Sequence, residues 1–397
     1  MSALALDRAL ARAASGRALD AAQAEALLAT PDERLPELLA PAAALRDRGH
    51  GRRVTFSAKV FVPLTTLCRD YCGYCTFRKD PGQPGAHTML PDEVIALVQA
   101  GERLGAKEAL FSLGDKPEAL FPEHRDFLRR LGYRTTLAYL RAVSERVLHE
   151  SALLPHANPG LMSERDLSTL REVNVSMGIM LETTSERLLG PGLAHDRAPD
   201  KVPARRLKTI ALAGKLQIPF TTGILIGIGE THAERVDALL AIRALHEQHG
   251  HIQEVIIQNF RAKPTIPMRG VPDPTLPELL RTLAVARLLL GAEMNIQAPP
   301  NLADAGYGGL PAGGLNDWGG ISPLTPDHIN PERPWPLLRD LRRVTEAAGH
   351  ELRERLAIYP EYTARPEFLD GALRARVANY VGPDGLVRQD LERWRSW

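Results

Sequence analysis

Cys68, Cys72 and Cys75 are the only cysteines in a chain of 397 residues, and all three fall within the stretch Cys68-Arg-Asp-Tyr-Cys72-Gly-Tyr-Cys75. Sulfur used this way neither fills a core nor cross-links distant segments. Three thiolates converging in one loop make a soft-metal site. Structural zinc wants four closed ligands, and the nearest fourth candidate, His87, lies beyond a Pro/Gly-rich stretch. A [4Fe-4S] cubane normally takes four cysteines, so three would leave one iron open to a small molecule. Two plainer readings use the same residues. Cys72-Gly-Tyr-Cys75 could be a thioredoxin-like redox pair, and the three cysteines with His87 could form a zinc knuckle.

The elements that must position this loop are legible from Val54 onward, where short β-prone runs alternate with amphipathic segments, the signature of βαβ units. Eight such runs lie near residues 54–62, 107–113, 152–155, 173–181, 218–226, 252–260, 293–297 and 315–321. Helices are expected over 91–104, 163–172, 231–246 and 275–291, the last with a Thr275/Glu278 capping box and a stop at Gly291. The fold class is therefore α/β, a closed or nearly closed (β/α)8 TIM-type barrel over 51–330. An Ala/Leu-rich helical extension precedes it over 1–50, with Asp20 and Gln23 as a capping pair, and a Pro-rich, then helical cap follows over 331–397.

Active sites of such barrels form at the C-terminal ends of the strands. Polar and Gly-rich clusters follow the runs accordingly. The cysteine loop follows the first, Gly114-Asp115-Lys-Pro-Glu118 the second, His156-Ala-Asn158 the third and Glu182-Thr-Thr184 the fourth. Gly227-Ile-Gly229-Glu230 follows the fifth, Gln258-Asn259-Phe-Arg261 the sixth, Gln297-Ala-Pro-Pro-Asn301 the seventh and Asn316-Asp317-Trp-Gly-Gly320 the eighth. Gly227 and Gly229 would let a ligand approach the backbone, though a lone Gly-x-Gly is no dinucleotide fingerprint. His156, Asn158, Asn259, Arg261, Asn301, Asn316 and Asp317 are candidates for a polar substrate; each could equally satisfy loop backbone groups.

A formal net charge of +1 gives no electrostatic footprint for nucleic acid or an acidic membrane surface, so the partner is expected to be a small molecule. No apolar run approaches the roughly 18 residues that span a bilayer, and the first residues lack a signal-peptide pattern. An odd, clustered set of cysteines suits a reducing compartment, and the cytoplasm is the expected location.

With Tyr74 directly before the last cysteine, the triplet resembles the signature of the radical S-adenosylmethionine (SAM) enzymes. The resemblance implies a [4Fe-4S] cluster whose open iron chelates the amino and carboxylate groups of SAM, with Tyr74 lying against the adenine. It implies oxygen sensitivity. Gly114-Asp115 sits where these enzymes carry a segment that meets the SAM amino group, although Gly-Asp-Lys-Pro-Glu replaces the usual Gly-Gly-Glu. Glu182 resembles their acidic SAM-binding residue, and Arg206 their arginine that pairs with the SAM carboxylate, a task suited to guanidinium. The bland alternatives are a turn at Gly114, a helix cap at Glu182 and a solvated helix arginine at Arg206.

Further stretches are similar to one subfamily: Val60-Phe-Val-Pro-Leu-Thr65, Cys75-Thr-Phe-Arg78, Ser112 to Glu118, Met180 to Leu188, Pro219 to Thr231, Ile256 to Pro264 and Asn316 to Pro323. From about residue 55 to 335 they resemble the CofG-type subunits of 7,8-didemethyl-8-hydroxy-5-deazariboflavin (FO) synthase. That resemblance implies reductive cleavage of SAM to methionine and a 5′-deoxyadenosyl radical. The radical would abstract hydrogen from a 4-hydroxybenzyl adduct of a ribitylaminouracil, which closes with loss of ammonia to the deazaflavin of coenzyme F-420. It implies two partners, a separate CofH-type radical SAM subunit supplying the adduct and an electron donor such as flavodoxin or ferredoxin. Rival readings are an aminofutalosine-pathway or biotin-synthase-like radical enzyme, and a non-catalytic iron-sulfur or zinc protein.

Overall fold

The computed structural model describes residues 3–369 and 371–396; positions 1–2, 370 and 397 of the expected extension and cap lie outside them. Three helices open the chain: α1 (Ala3–Ala14), α2 (Ala21–Leu28) and α3 (Leu35–His50). Asp20 caps α2 as expected, accepting from the Gln23 amide while the Gln23 side chain returns to the Asp20 amide. The buried faces of these helices join the main core, and α3 packs on the last helix of the barrel wall.

The barrel strands and helices then alternate: β1 (Arg53–Thr65), α4 (Pro91–Arg103), β2 (Glu108–Leu113), α5 (Pro122–Arg130), α6 (Thr136–Glu150), β3 (Leu154–Asn158), α7 (Glu164–Arg171), β4 (Ser176–Gly178), α8 (Pro203–Lys215), β5 (Phe220–Ile226), α9 (His232–His249), β6 (Ile252–Asn259), α10 (Leu276–Leu290), β7 (Ile296–Gln297) and β8 (Asp317–Ile321). All eight expected strands are present, and every pairing is parallel. Because β1 bonds to both β2 and β8, the sheet closes. Ser163 and Thr231 cap α7 and α9 with full capping boxes. At α10 the expected box is only half made: Thr275 accepts from the Glu278 amide, but the Glu278 carboxylate turns to Arg235 at 2.9 Å, where an ion pair outweighs a second cap bond.

Alternation along β1 separates two environments. Val54, Phe56, Ala58, Val60, Val62 and Leu64 are buried among apolar neighbours. The alternate residues include Ser57 and Lys59, which meet Glu108 of β2 at 2.5 and 2.9 Å. This register leaves α4 very close to β1: a Cβ on Gly101 would stand 2.0 Å from Val60 Cγ2. Gly101→Ala is therefore expected to cost about 1–3 kcal/mol through overpacking, measured by urea unfolding.

Beyond β8 come α11 (Leu338–Ala347), β9 (Glu351–Glu354), α12 (Pro360–Thr363) and α13 (Gly371–Ala378). The sequence reading of this region as a helical cap missed β9. Its residues pair in parallel with Arg53–Phe56, the start of β1. The pairing of β8 at Thr55–Ala58 takes the other edge of β1, so β9 lies below β2, at the N-terminal mouth of the barrel. From there Arg355 reaches in, donating to Asp317 at 2.6 and 2.9 Å and to Glu254 at 3.1 Å. The segment thus closes the end opposite the cysteine loop. Among the described residues no helix is long and apolar enough to cross a membrane.

Candidate active site

The cysteine loop lies between the ends of β1 and α4 and is held by backbone bonds from three sides. Arg69 N–H donates to Asp115 C=O (3.1 Å), Tyr71 N–H to Arg197 C=O (3.1 Å) and Gly73 N–H to Ala194 C=O (2.8 Å), while Met268 N–H donates to Gly73 C=O (3.1 Å). Arg69 adds a two-point pair with buried Asp200 at 2.5 and 2.6 Å. These contacts fix the loop without using the sulfurs of Cys72 and Cys75. All three cysteines are free of disulfides and open onto one cavity of about 260 Å³ at the C-terminal end of the strands.

Burial pushes the Cys68 thiol up, and that of Cys72 up to about 12, with Lys201 only partly offsetting the effect at Cys72. The pocket alone does not make thiolates there; a bound cation would have to displace the protons, as thiolate metal sites do. Cys68 Sγ accepts from the N–H of Asp70 at 3.4 Å and of Asp115 at 3.2 Å, contacts that favour its charged form. The glycine at 114 is required by that approach, since a Cβ would sit 1.9 Å from Leu67 C=O and 2.6 Å from Cys68 Cβ.

The other walls come from successive strand ends. Tyr74 packs edge-on against His195, its hydroxyl 3.1 Å from Nε2. Glu182, in a left-handed conformation (φ 67°), is fixed from both sides by β5: its N–H donates to Gly223 C=O and its C=O accepts from Leu225 N–H. Its carboxylate accepts from Lys201 Nζ at 2.5 Å. Burial would raise the Glu182 carboxyl, but Lys201 and Arg206 outweigh it and hold it below the usual range. Arg206 is buried and gives two N–H groups to the Met180 and Asp200 carbonyls, at 2.6 and 3.1 Å. Asp115 Oδ2 accepts from Leu161 N–H; burial pushes its carboxyl up to about 6, with Asp200 and Asp70 adding to the rise against Lys116. Asp70, Asp115 and Asp200 together bring buried carboxylate oxygens within 4.8 Å of one another beside Cys68.

Of the residues singled out from sequence, Cys68, Cys72, Cys75, Tyr74, Gly114, Asp115, Glu182, Arg206, Asn158, Asn259 and Arg261 all line this cavity. Six do not. Gly227 turns its Cα face to Pro274, 2.3 Å from where a Cβ would be, and Gly229 offers its carbonyl to Arg187. His156 is buried inside the barrel against Ser176 Oγ at 2.7 Å. Asn301 ties loops together through Asp327 and the Arg333 carbonyl. Asn316 accepts from Arg287 and the Ile296 amide, and Asp317 pairs with Arg355; both sit at the opening end of β8, opposite the cavity. Asp317 satisfies the barrel's interior and Asn316 the seam between α10 and β7; neither serves the rim.

Lys201, Arg78, Ser112 and Lys263 also line the cavity and were not singled out, and Gln258, named only as the start of its strand-end cluster, joins them. Lys201 sits in the long segment between β4 and α8, which has no periodicity to single it out; Ser112 and Gln258 fall inside strand patterns.

The residues suit an iron-sulfur group and a polar ligand. Three cysteine sulfurs share the cavity, and the chain has no fourth cysteine. Arg78, Asp115, Asn259 and Arg261, all lining it, each keep a buried polar atom without a hydrogen-bond partner, a costly state unless a ligand supplies one.

A model of the radical SAM superfamily matches residues 62–242. FO synthase of Streptomyces coelicolor is 52% identical over 395 residues, 96% of this chain and 46% of that protein. FO synthase of Mycobacterium tuberculosis is 47% identical, covering 100% of this chain and 49% of its own. The 7,8-didemethyl-8-hydroxy-5-deazariboflavin synthase of Methanopyrus kandleri is 50% identical over 313 residues, 79% of this chain and 93% of that protein. The chain thus spans about half the length of the FO synthases it matches and nearly all of the Methanopyrus protein. Among solved structures, the FeFe-hydrogenase maturase HydG from Carboxydothermus hydrogenoformans aligns with a TM-score of 0.70 at 17% identity, covering 98% of this chain and 92% of its own. Methylornithine synthase aligns at 0.67 and 18%, covering 87% and 97%. These likenesses concern the barrel.

Proposed function

Since the chain belongs to the 7,8-didemethyl-8-hydroxy-5-deazariboflavin synthase family within the radical SAM superfamily, we propose that it closes the deazaflavin ring of FO from the 4-hydroxybenzyl ribityluracil adduct with loss of ammonia, an ammonia-lyase reaction in the cytoplasm. One observation carries this reading: the three cysteines open onto the same cavity as an aromatic ring, a buried carboxylate–lysine pair and several amides. Cys68, Cys72 and Cys75 would hold a [4Fe-4S] group, which would supply the electron for cleaving SAM to a 5′-deoxyadenosyl radical.

The chain's own residues then bind, orient and exclude water. Tyr74 offers its ring to the adenine, with its hydroxyl already tied to His195. Glu182 and Lys201 present paired charges to the polar parts of SAM, and Arg206, anchored through two of its N–H groups, keeps others for a carboxylate. The carboxylates of Asp70 and Asp115, which line the cavity, suit an ammonium group. Asn158, Gln258, Asn259 and Arg261 face the adduct; Asn259 gives its amide N–H to Leu302 C=O at 3.0 Å, which leaves Oδ1 as a free acceptor. Phe77, Leu113, Leu225 and Phe260 make the remaining wall apolar, which keeps water from a reactive intermediate. The adduct would come from a CofH-type radical SAM unit.

Glu182→Gln and Lys201→Met are each expected to weaken SAM binding by about tenfold or more, since each leaves its partner unpaired in a buried site; equilibrium dialysis with labelled SAM measures it. The reading itself is tested by anaerobic incubation with SAM, a reductant and the adduct. It expects 5′-deoxyadenosine together with deazaflavin fluorescence. Deoxyadenosine without fluorescence would favour an aminofutalosine-pathway or biotin-synthase-like enzyme, and neither product a non-catalytic metal protein.

A further inference from the structure

The outer face of the cysteine loop carries a charge pattern that the cavity does not require. Three segments joined there, residues 69–80, 193–208 and 263–269, hold ten basic side chains against four acidic ones; Arg69, Lys201 and Arg205 are paired with Asp200 or Glu182, Arg206 and Lys263 are buried, and Arg78 pairs with Asp80, which also accepts from the Tyr71 hydroxyl. Several of these cations belong to the cavity, but Arg197, Arg205, Lys208 and Arg269 are exposed to solvent. Arg197 and Arg269 have no carboxylate partner among the described residues. Tyr71, next to Cys72, lies between two guanidinium groups, with Arg78 3.3 Å and Arg197 4.7 Å from its ring centroid. Arg197 adopts a left-handed backbone (φ 58°), uncommon for a side chain of its size, and its carbonyl holds the Tyr71 amide. Arg269 follows Met268, whose amide bonds to Gly73 of the same loop. The two unpaired cations therefore flank the loop's outer surface, and the cysteines line its inner one.

We propose that this face, centred on Tyr71 between Arg78 and Arg197 and extended by Arg269, is the docking surface for an acidic one-electron carrier protein. The proposal rests on the preceding functional reading. A carrier seated here stands within one loop's thickness of Cys72. One electron leaves the carrier, which is oxidised, and enters the iron-sulfur group held by the three cysteines. Complementary charge raises the encounter rate and fixes orientation, and both effects fade as salt rises.

The experiment titrates the anaerobic full-length chain with a strongly acidic flavodoxin, measures Kd, and then follows cluster reduction by visible absorbance. For the double variant R197E/R269E, Kd is expected to rise by about tenfold or more and reduction by flavodoxin to slow in parallel. The same weakening is expected in the unaltered chain as ionic strength increases. Dithionite-driven formation of deoxyadenosine should be unchanged in the variant, because neither side chain lines the cavity. R269E alone, on an exposed residue with ordinary backbone, should shift Kd in the same direction. Equal Kd and reduction rates in variant and unaltered chain overturn the docking surface. So does equally tight binding of an acidic protein without a redox centre. A chain with no reducible iron overturns this proposal and the functional reading together, whereas dithionite reduction without deazaflavin formation overturns the functional reading alone.

Discussion

Cys72→Ala should yield a folded barrel that has lost its chemistry. The loop around this residue is fixed through the main chain, by Tyr71 to Arg197, Gly73 to Ala194 and Met268 to Gly73, and by the Arg69–Asp200 pair. None of these contacts uses the sulfur. Circular dichroism and the urea midpoint should therefore stay close to those of the unaltered chain. Iron bound after anaerobic reconstitution should fall sharply, because no fourth cysteine exists to replace the lost one. Deoxyadenosine formation is expected to drop by more than about 10³-fold, equivalent to at least about 4 kcal/mol in the barrier. Retained, adduct-dependent cleavage of SAM in this variant would exclude the assignment of Cys72.

Arg355→Ala should have the largest effect on stability. Its guanidinium is fully enclosed and pairs with two buried carboxylates, Asp317 and Glu254, at the end of the barrel away from the cysteines. Removing it leaves both without their cation, and breaking a buried pair in this way typically costs about 3–5 kcal/mol. Urea unfolding measures the loss. Burial already raises the Glu254 carboxyl, with Asp317 adding to the rise against Arg355. Without the arginine it should rise further. A carboxyl whose folded-state value is raised binds protons more readily folded than unfolded, so the deficit should shrink as pH falls below neutrality and grow as it rises. A deficit independent of pH would mean that lost packing, not stranded charge, accounts for it.

These two residues also mark how far the sequence could be read. The cysteine triplet and the eight β-prone runs were plain, because soft-metal spacing and strand-helix alternation are local signals. So were most strand-end residues of the first six strands, where a polar side chain just past an apolar run does face the cavity. The rule failed at Asn316 and Asp317. It treats polarity near a strand as a sign of the rim, whereas this barrel's interior is itself ionic: Lys59, Glu108, Glu254, Asp317 and Arg355 satisfy one another inside it. Asp317 gains its partner, Arg355, from just past a strand thirty-odd residues later that no periodicity announced, since β9 is only four residues long. Lys201 was hidden for a similar reason. Its role follows from Glu182, 19 residues earlier in the same connection between β4 and α8, and a pairing made by the folding of one aperiodic segment leaves no mark in its sequence.

Reductive cleavage of SAM by this protein depends on one iron left without a protein ligand. Electron paramagnetic resonance of the anaerobically reduced protein, recorded before and after addition of SAM carrying a nitrogen isotope in its amino group, tests this most directly. A [4Fe-4S] signal that shifts on SAM addition and shows coupling to the labelled nitrogen is the expected result. A cluster signal indifferent to SAM, or a protein that takes up no iron, would contradict it.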